Sequence, residues 1–208
     1  LIYQYKIPIS EIWLITTQAG RKKIEKDLLN PFNEKIRLFC LDYGISRAKI
    51  QFNLDHILTA NDVNDIHNSE DNEAMANLIL QVIREKTALP DTVLHCSLAA
   101  GRKTMSIYLA MALQFYGRAE DRLYHVLVRP PEFENNPAFF YPPPKPVEIP
   151  GGAGQPVSTA DVHIELVEVP YVRLRKQVAS LLNRREITFA QLVSQTQNEL
   201  AQAPEILP

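Results

Sequence analysis

The sequence predicts an α/β fold with a mainly parallel sheet and helices on both faces. Short apolar runs alternate with helical patterns from the start of the chain to about residue 129, the order of elements that βαβ units produce. Two of these runs, residues 12–15 and 123–128, are almost wholly apolar, as strands covered on both faces are. The third observation is the stretch TVLHCSLAAGRKTMSIYLAMALQFY at 92–116. A β-branched run passes through three small residues directly into a long helical pattern, which is one half of a βαβ unit.

Taken in order, residues 12–15 form the first visible strand, closed by Thr16 and Thr17 at what becomes the carboxyl end of the sheet, where open α/β proteins bind ligands. Either threonine can face a ligand there, or hydrogen-bond the backbone at the strand end. Residues 20–29 read as an amphipathic helix with Arg21, Lys22, Lys23 and Lys26 on a solvated face, and Pro31 breaks it. Residues 33–43 read as a second helix, with Ile36, Phe39, Cys40 and Tyr43 at three- and four-residue spacing and Gly44 as its C′ residue. A strand is expected within 50–58. His56 there is read as a surface or loop histidine rather than a ligand, since no other His or Cys stands at metal-site spacing. The acidic stretch 61–73 is not a calcium loop: with Asp62 first, the sixth position is His67 rather than Gly. Asn68 or Ser69 caps the next helix, with Glu70, Asp71 and Glu73 in its first turn and Met75, Leu78, Ile79, Val82 and Ile83 on its apolar face.

Gly117 ends the helix that follows the central turn, and residues 123–128 are a buried strand. Eight of the 15 prolines then fall between Pro130 and Pro150, with Phe133, Phe139, Phe140 and Tyr141 among them, and Gly151, Gly152 and Gly154 follow. This is a connection rather than a core segment, its aromatics covering a core edge or closing over a ligand. Residues 162–174 return to strand character. Alternation there places Arg173 and Arg175 on one face, within reach of a phosphate or exposed on an edge. A last amphipathic helix is expected at 188–201. The chain thus divides into an α/β domain at 1–129, a Pro/Gly-rich connection at 130–160 and a C-terminal strand-and-helix extension at 161–208.

Composition narrows the function. Of 208 residues, 46% are apolar and the formal net charge is −2. A surface for duplex DNA needs a basic excess that this chain lacks, so a nucleic-acid ligand would be small and locally held. No run reaches the roughly 18 apolar residues of a membrane span. Cys40 and Cys96 lie in apolar runs and read as buried thiols of a reducing, cytoplasmic compartment. No metal-ligand cluster or cofactor motif is visible.

The 101–103 turn is the chemically informative feature. Backbone N–H groups at a helix start favour an anion, and Arg102 and Lys103 are cations at the wrong end of the helix dipole. A bound negative charge accounts for them; an ordinary βα turn with two solvated basic residues is the other account. The turn is not a P-loop, because Arg102 separates Gly101 from Lys103 and Cys96 stands where that motif has its first Gly.

Residues 97–105, SLAAGRKTM, resemble the small-residue Gly-Arg-Lys-Thr-Met signature of the CRISPR-associated ring nuclease family, built on a Rossmann-like CARF domain. The resemblance extends to Glu11-Ile12-Trp13-Leu14-Ile15-Thr16-Thr17 with Ala19-Gly20-Arg21, to Asp71-Asn72, to Asp121-Arg122-Leu123, to Phe139-Phe140-Tyr141-Pro142 and to Val169-Pro170-Tyr171-Val172-Arg173-Leu174-Arg175. Ala100 stands where the family often has a second Gly. The resemblance implies a cyclic tetra-adenylate ligand and its metal-independent, cofactor-free cleavage by a ribose 2′-hydroxyl. Lys103 is then the catalytic charge stabiliser, and Ser97, Ala99, Ala100, Gly101, Arg102, Thr104, Thr16 and Thr17 form the ligand surface. It also implies a first strand and helix upstream of Leu1, including a catalytic hydroxyl assignable to no residue here. A homodimer is expected, because the helix from Met105 is apolar nearly all round; the apolar stripe of the C-terminal helix is the other cover open to it. A sensor that binds the ring without cutting it, or an unrelated nucleotide-dependent α/β enzyme, would use the same turn.

Overall fold

In the computed structural model, the residues described are 5–30, 34–99, 101–151, 154–184 and 186–202. The chain is a mixed α/β protein with small sheets. It separates into two compact units, Leu1–Leu58 with Val126–Val167, and Thr59–His125 with Glu168–Pro208.

The first unit begins with strand β1 (Leu14–Thr16), which joins β2 (Ile57–Thr59) in a two-stranded sheet. Helix α1 (Gln18–Leu28) starts at Thr17, whose hydroxyl accepts from the Gly20 amide at 3.3 Å. Helix α2 (Lys35–Asp42) ends before Gly44, whose φ of +64° is the left-handed turn expected of a C′ glycine. The core gathers Ile36, Cys40, Ile50, Phe52 and Ile57, with Leu14, Ile24 and Phe39 against it. β1 is half-buried rather than covered on both faces. His56, read as a surface or loop histidine, is buried at the end of the short 3₁₀ turn Leu54–His56. Its ring lies 4.3 Å from the Trp13 ring, and Nδ1 is 2.8 Å from Asn53 Oδ1.

The Pro/Gly-rich connection holds a hairpin that its composition conceals, β5 (Glu148–Pro150) antiparallel to β6 (Pro156–Ser158). Its aromatics cover the core edge. Phe133 is buried against Phe139, and the Tyr141 ring lies 5.3 Å from Phe39 while its hydroxyl donates to Asp42 at 2.6 Å.

The second unit is centred on two helices packed on each other, α3 (Ser69–Thr87) and α4 (Lys103–Tyr116). Asn68 caps α3 by accepting from the Asp71 amide at 2.7 Å, and Asp71 Oδ2 accepts from the His67 amide at 3.0 Å, so Asp71 serves the helix start. Strand β3 (His95–Ser97) runs parallel to β4 (Arg122–Arg129), with Cys96 opposite Leu123. The β3–α4–β4 segment is the parallel βαβ unit that the sequence predicts; β7 (His163–Glu168), which belongs to the first unit up to Val167, is the neighbour of β4 in the strand order. The described strands form three separate small sheets rather than one mainly parallel sheet with helices on both faces. The short helix α5 (Ala179–Leu182) and α6 (Phe189–Gln202) complete the unit, with Phe189 packed edge-on to Tyr108.

Residues 169–174 are not a continuation of β7. There the arginines have a structural task. Arg173 Nε donates to the Arg118 carbonyl at 2.9 Å and Nη2 to the Asp121 carbonyl at 3.2 Å, while Arg175 donates to the Tyr116 carbonyl. Arg175 serves the C-terminal end of α4, where terminal carbonyls want cationic donors, and Arg173 fastens the loop that follows it. At 1.5 Å per residue that end is about 20 Å from Lys103, so neither arginine joins the 101–103 turn.

Candidate functional site

The site is built where β3 turns into α4. β3 ends at Ser97, and the Leu98 amide still donates to the Tyr124 carbonyl of β4 at 2.8 Å, so the turn begins from a fixed sheet edge. Ser97 Oγ accepts from the Ala99 amide at 3.2 Å, and Ser106 Oγ of α4 donates back to the Leu98 carbonyl at 3.1 Å. Ala100 lies outside the described residues. Gly101 has φ +83°, a conformation that side-chain-bearing residues rarely adopt. This explains why a glycine stands where the backbone reverses into the helix.

Arg102 is the N-cap residue, extended at φ −73° and ψ 148°, and its side chain makes no capping bond. The Met105 amide donates to the Arg102 carbonyl at 3.0 Å. The Lys103 and Thr104 amides in the first turn of α4 receive no side-chain cap among the described residues and so remain available to an anion. Ser97, Ala99, Gly101, Arg102, Lys103 and Thr104 are all exposed at this turn. Lys103, at the first helical position, forms no ion pair among the described residues.

Arg102 does have a partner, which the sequence reading missed. Its Nε lies 3.2 Å from Asp65 Oδ1, and its Nη2 donates to Asp65 Oδ2. The Arg102 hydrogen bond holds the Asp65 carboxyl below the usual carboxylate range, helped by the Ile66 amide, which donates to Oδ1 at 2.8 Å. Asp65 stands 37 residues before Arg102, among other Asp and Asn residues, and nothing local to it in sequence signals the pairing.

The strand leading into the turn carries two further groups. His95 stacks on Tyr124 with ring centroids 5.8 Å apart, and its Nδ1 is 3.3 Å from the Tyr124 hydroxyl. Burial, then the Arg122 charge, lower its pKa, so the neutral ring is favoured. Burial pushes the Cys96 thiol up to about 12, which makes it a poor nucleophile. Thr16 and Thr17 belong to the other unit. Thr17 is buried and engaged as the cap of α1, and a Cβ on Gly20 would come within 2.1 Å of Thr16 Oγ1.

The arrangement offers an anion two cations of different kinds. Arg102 has a planar guanidinium with one edge held by Asp65, and Lys103 has an exposed ammonium without an ion pair among the described residues. Among the described residues no group of three or more His, Cys, Asp or Glu could hold a metal ion, and no helix is long and apolar enough to cross a membrane. A comparison with curated proteins found no match. The model of the CRISPR-associated protein NE0113 family matches residues 2–202, nearly the whole chain, and the chain belongs to that family.

Proposed function

We propose that this protein is a CRISPR-associated ring nuclease that binds cyclic tetra-adenylate and cleaves it, switching off type III CRISPR signalling, on a CARF-type Rossmann-like domain. The observation that carries the reading is the exposed turn at 101–103. A left-handed Gly101 leads to Arg102, Lys103 and the uncapped amides of α4, in a chain of a CRISPR-associated family. Such a turn suits a phosphodiester in a small cyclic nucleotide better than a duplex, because its charge is concentrated in one place while the chain as a whole is acidic.

The chemistry requires little of the protein. A ribose 2′-oxygen attacks the adjacent phosphorus as its proton is lost. The P–O5′ bond breaks, and the 5′-oxygen leaves with a proton. Each cut gives a 2′,3′-cyclic phosphate and a 5′-hydroxyl, and two cuts open the ring into two linear di-adenylates. The protein must hold the 2′-oxygen in line with the leaving oxygen and stabilise the extra charge on the phosphorane. Lys103 takes the second role. Arg102 and the amides around Gly101 take the first by fixing the phosphate, with Ser97, Ala99 and Thr104 shaping the turn.

The reading places two copies of the turn on the two-fold axis of a homodimer, one ring per two chains. It is supported by the outer face of α4. Ile107 is 57% exposed, and Val172 is 65% exposed across an open apolar groove of about 570 Å³, which Met111 also lines. A ring bearing 2′-methoxy groups tests the mechanism. It is expected to bind and to resist cleavage entirely; cleavage of that analogue would exclude 2′-hydroxyl attack.

A further inference from the structure

Asp65 is the unexpected member of the site. A carboxylate beside a phosphate-binding arginine repels the ligand, so on charge alone it is out of place there. Its geometry gives it another use. It engages Arg102 along the Nε–Nη2 edge, taking two of the five N–H donors that a guanidinium carries. Among the described residues no other acceptor contacts Arg102, so the remaining three donors, including both on Nη1, are left for a ligand. Asp65 is the better anchored partner. Its side chain is 24% exposed against 58% for Arg102, and its Oδ1 also accepts from the Ile66 amide at 2.8 Å. A free arginine side chain would lose much of its rotamer freedom on gripping a phosphate. One already held by a fixed carboxylate has lost it beforehand.

We propose that Asp65 is a positioning residue for phosphate recognition, holding the Arg102 guanidinium by one edge so that the other edge is presented to a phosphodiester at the 101–103 turn. The inference rests on the ring-nuclease reading and adds to it a group that contacts no ligand. Its sign separates it from plain electrostatics. Removing a carboxylate near a polyanion should tighten binding if charge dominates, and should weaken binding if positioning does.

The test is calorimetric titration of cyclic tetra-adenylate into the protein and into Asp65→Asn, Arg102→Ala and the double variant, with thermal midpoints recorded as a check on folding. Asp65→Asn is expected to weaken binding on the order of tenfold, the size usual for losing an outer partner that orients a ligand-binding group. The loss should fall more on the dissociation constant than on the single-turnover rate at saturating ring. The double variant should bind no more weakly than Arg102→Ala alone, because Asp65 acts only through that side chain. Asp65→Glu, which keeps the carboxylate, should recover part of the loss. It also serves as the readout if Asp65→Asn does not fold: binding as weak as that of Arg102→Ala would then count against positioning. Unchanged or tighter binding by Asp65→Asn, or additive losses in the double variant, would overturn the proposal while leaving the nuclease reading intact. Absence of ring binding by the unsubstituted protein would overturn both.

Discussion

Lys103 carries a positive charge at the first position of α4, where the helix dipole opposes it. Arg102, one residue earlier, is compensated by Asp65, and Lys103 has no such partner among the described residues. On the proposed reading this difference favours Lys103 for the transition-state role and Arg102 for the holding role. Lys103→Ala is therefore expected to slow single-turnover cleavage by about 2.7–4 kcal/mol of transition-state stabilisation, the cost of losing one preorganised group at a developing oxyanion. Because Lys103 is exposed, the variant should melt at the temperature of the parent. A near-parental rate would withdraw the assignment. At this scale the sequence was informative wherever the reason for a residue is local. Gly44 ends α2 at a positive φ and Asn68, one of two expected caps, caps α3, and both are inferred from their neighbours. Asp65, Arg173 and Arg175 could not be placed, because each answers to a group far along the chain or to a backbone carbonyl, which carries no sequence signature.

At the scale of elements, α4 is fastened at the end opposite the site. Asp121 is fully buried beyond its C-terminus. Its carboxylate accepts from the amides of Leu94 and Arg118 at 2.9 and 2.8 Å, and from Arg118 Nε and Nη2 at 3.0 and 2.9 Å. Arg118 then reaches the carbonyls of Leu89 and Thr92, tying the loop before β3 to the loop before β4. Burial raises the Asp121 pKa, but the Arg118 and amide hydrogen bonds outweigh it, so the pKa is lowered on balance. A lowered carboxyl pKa contributes stability that is present above the ordinary carboxylate pKa of about 3.9 and is lost as pH falls through the folded value. Asp121→Ala is expected to destabilise the protein by about 3–5 kcal/mol, since it strands a largely buried Arg118, and to flatten the acid limb of the stability curve below about pH 4. Denaturant titrations at several pH values measure both. A loss under about 1 kcal/mol would show that water replaces the carboxylate. Helices were the most legible elements, because their caps and 3.6-residue periods lie within one segment: α3 begins at the expected cap and α4 ends at Gly117. Strands were less so. β5 and β6 hide in a proline-rich stretch, and residues 169–174, which alternate like a strand, are held by the hydrogen bonds of Tyr171 and Arg173 instead.

At the scale of the whole molecule, the α/β class followed from the alternation of apolar runs and helical patterns. The way the strands divide among small sheets did not, because pairing between distant strands leaves no trace in a period. The apolar surround of α4 predicts burial on more than one side. One side meets α3 and another meets Phe189 of α6 through Tyr108 and Phe115, yet Ile107 and the groove beside it are open in the single chain. Light scattering should therefore report a dimer at micromolar concentration, with a calorimetric stoichiometry of one ring per two chains. A monomer binding one ring per chain would remove the shared-pocket arrangement. The most direct measurement is product analysis after incubating the protein with cyclic tetra-adenylate in EDTA. Linear di-adenylate ending in a 2′,3′-cyclic phosphate is expected, formed at the same rate as without chelator. An intact ring, or cleavage only when Mg²⁺ or Mn²⁺ is restored, would contradict that expectation.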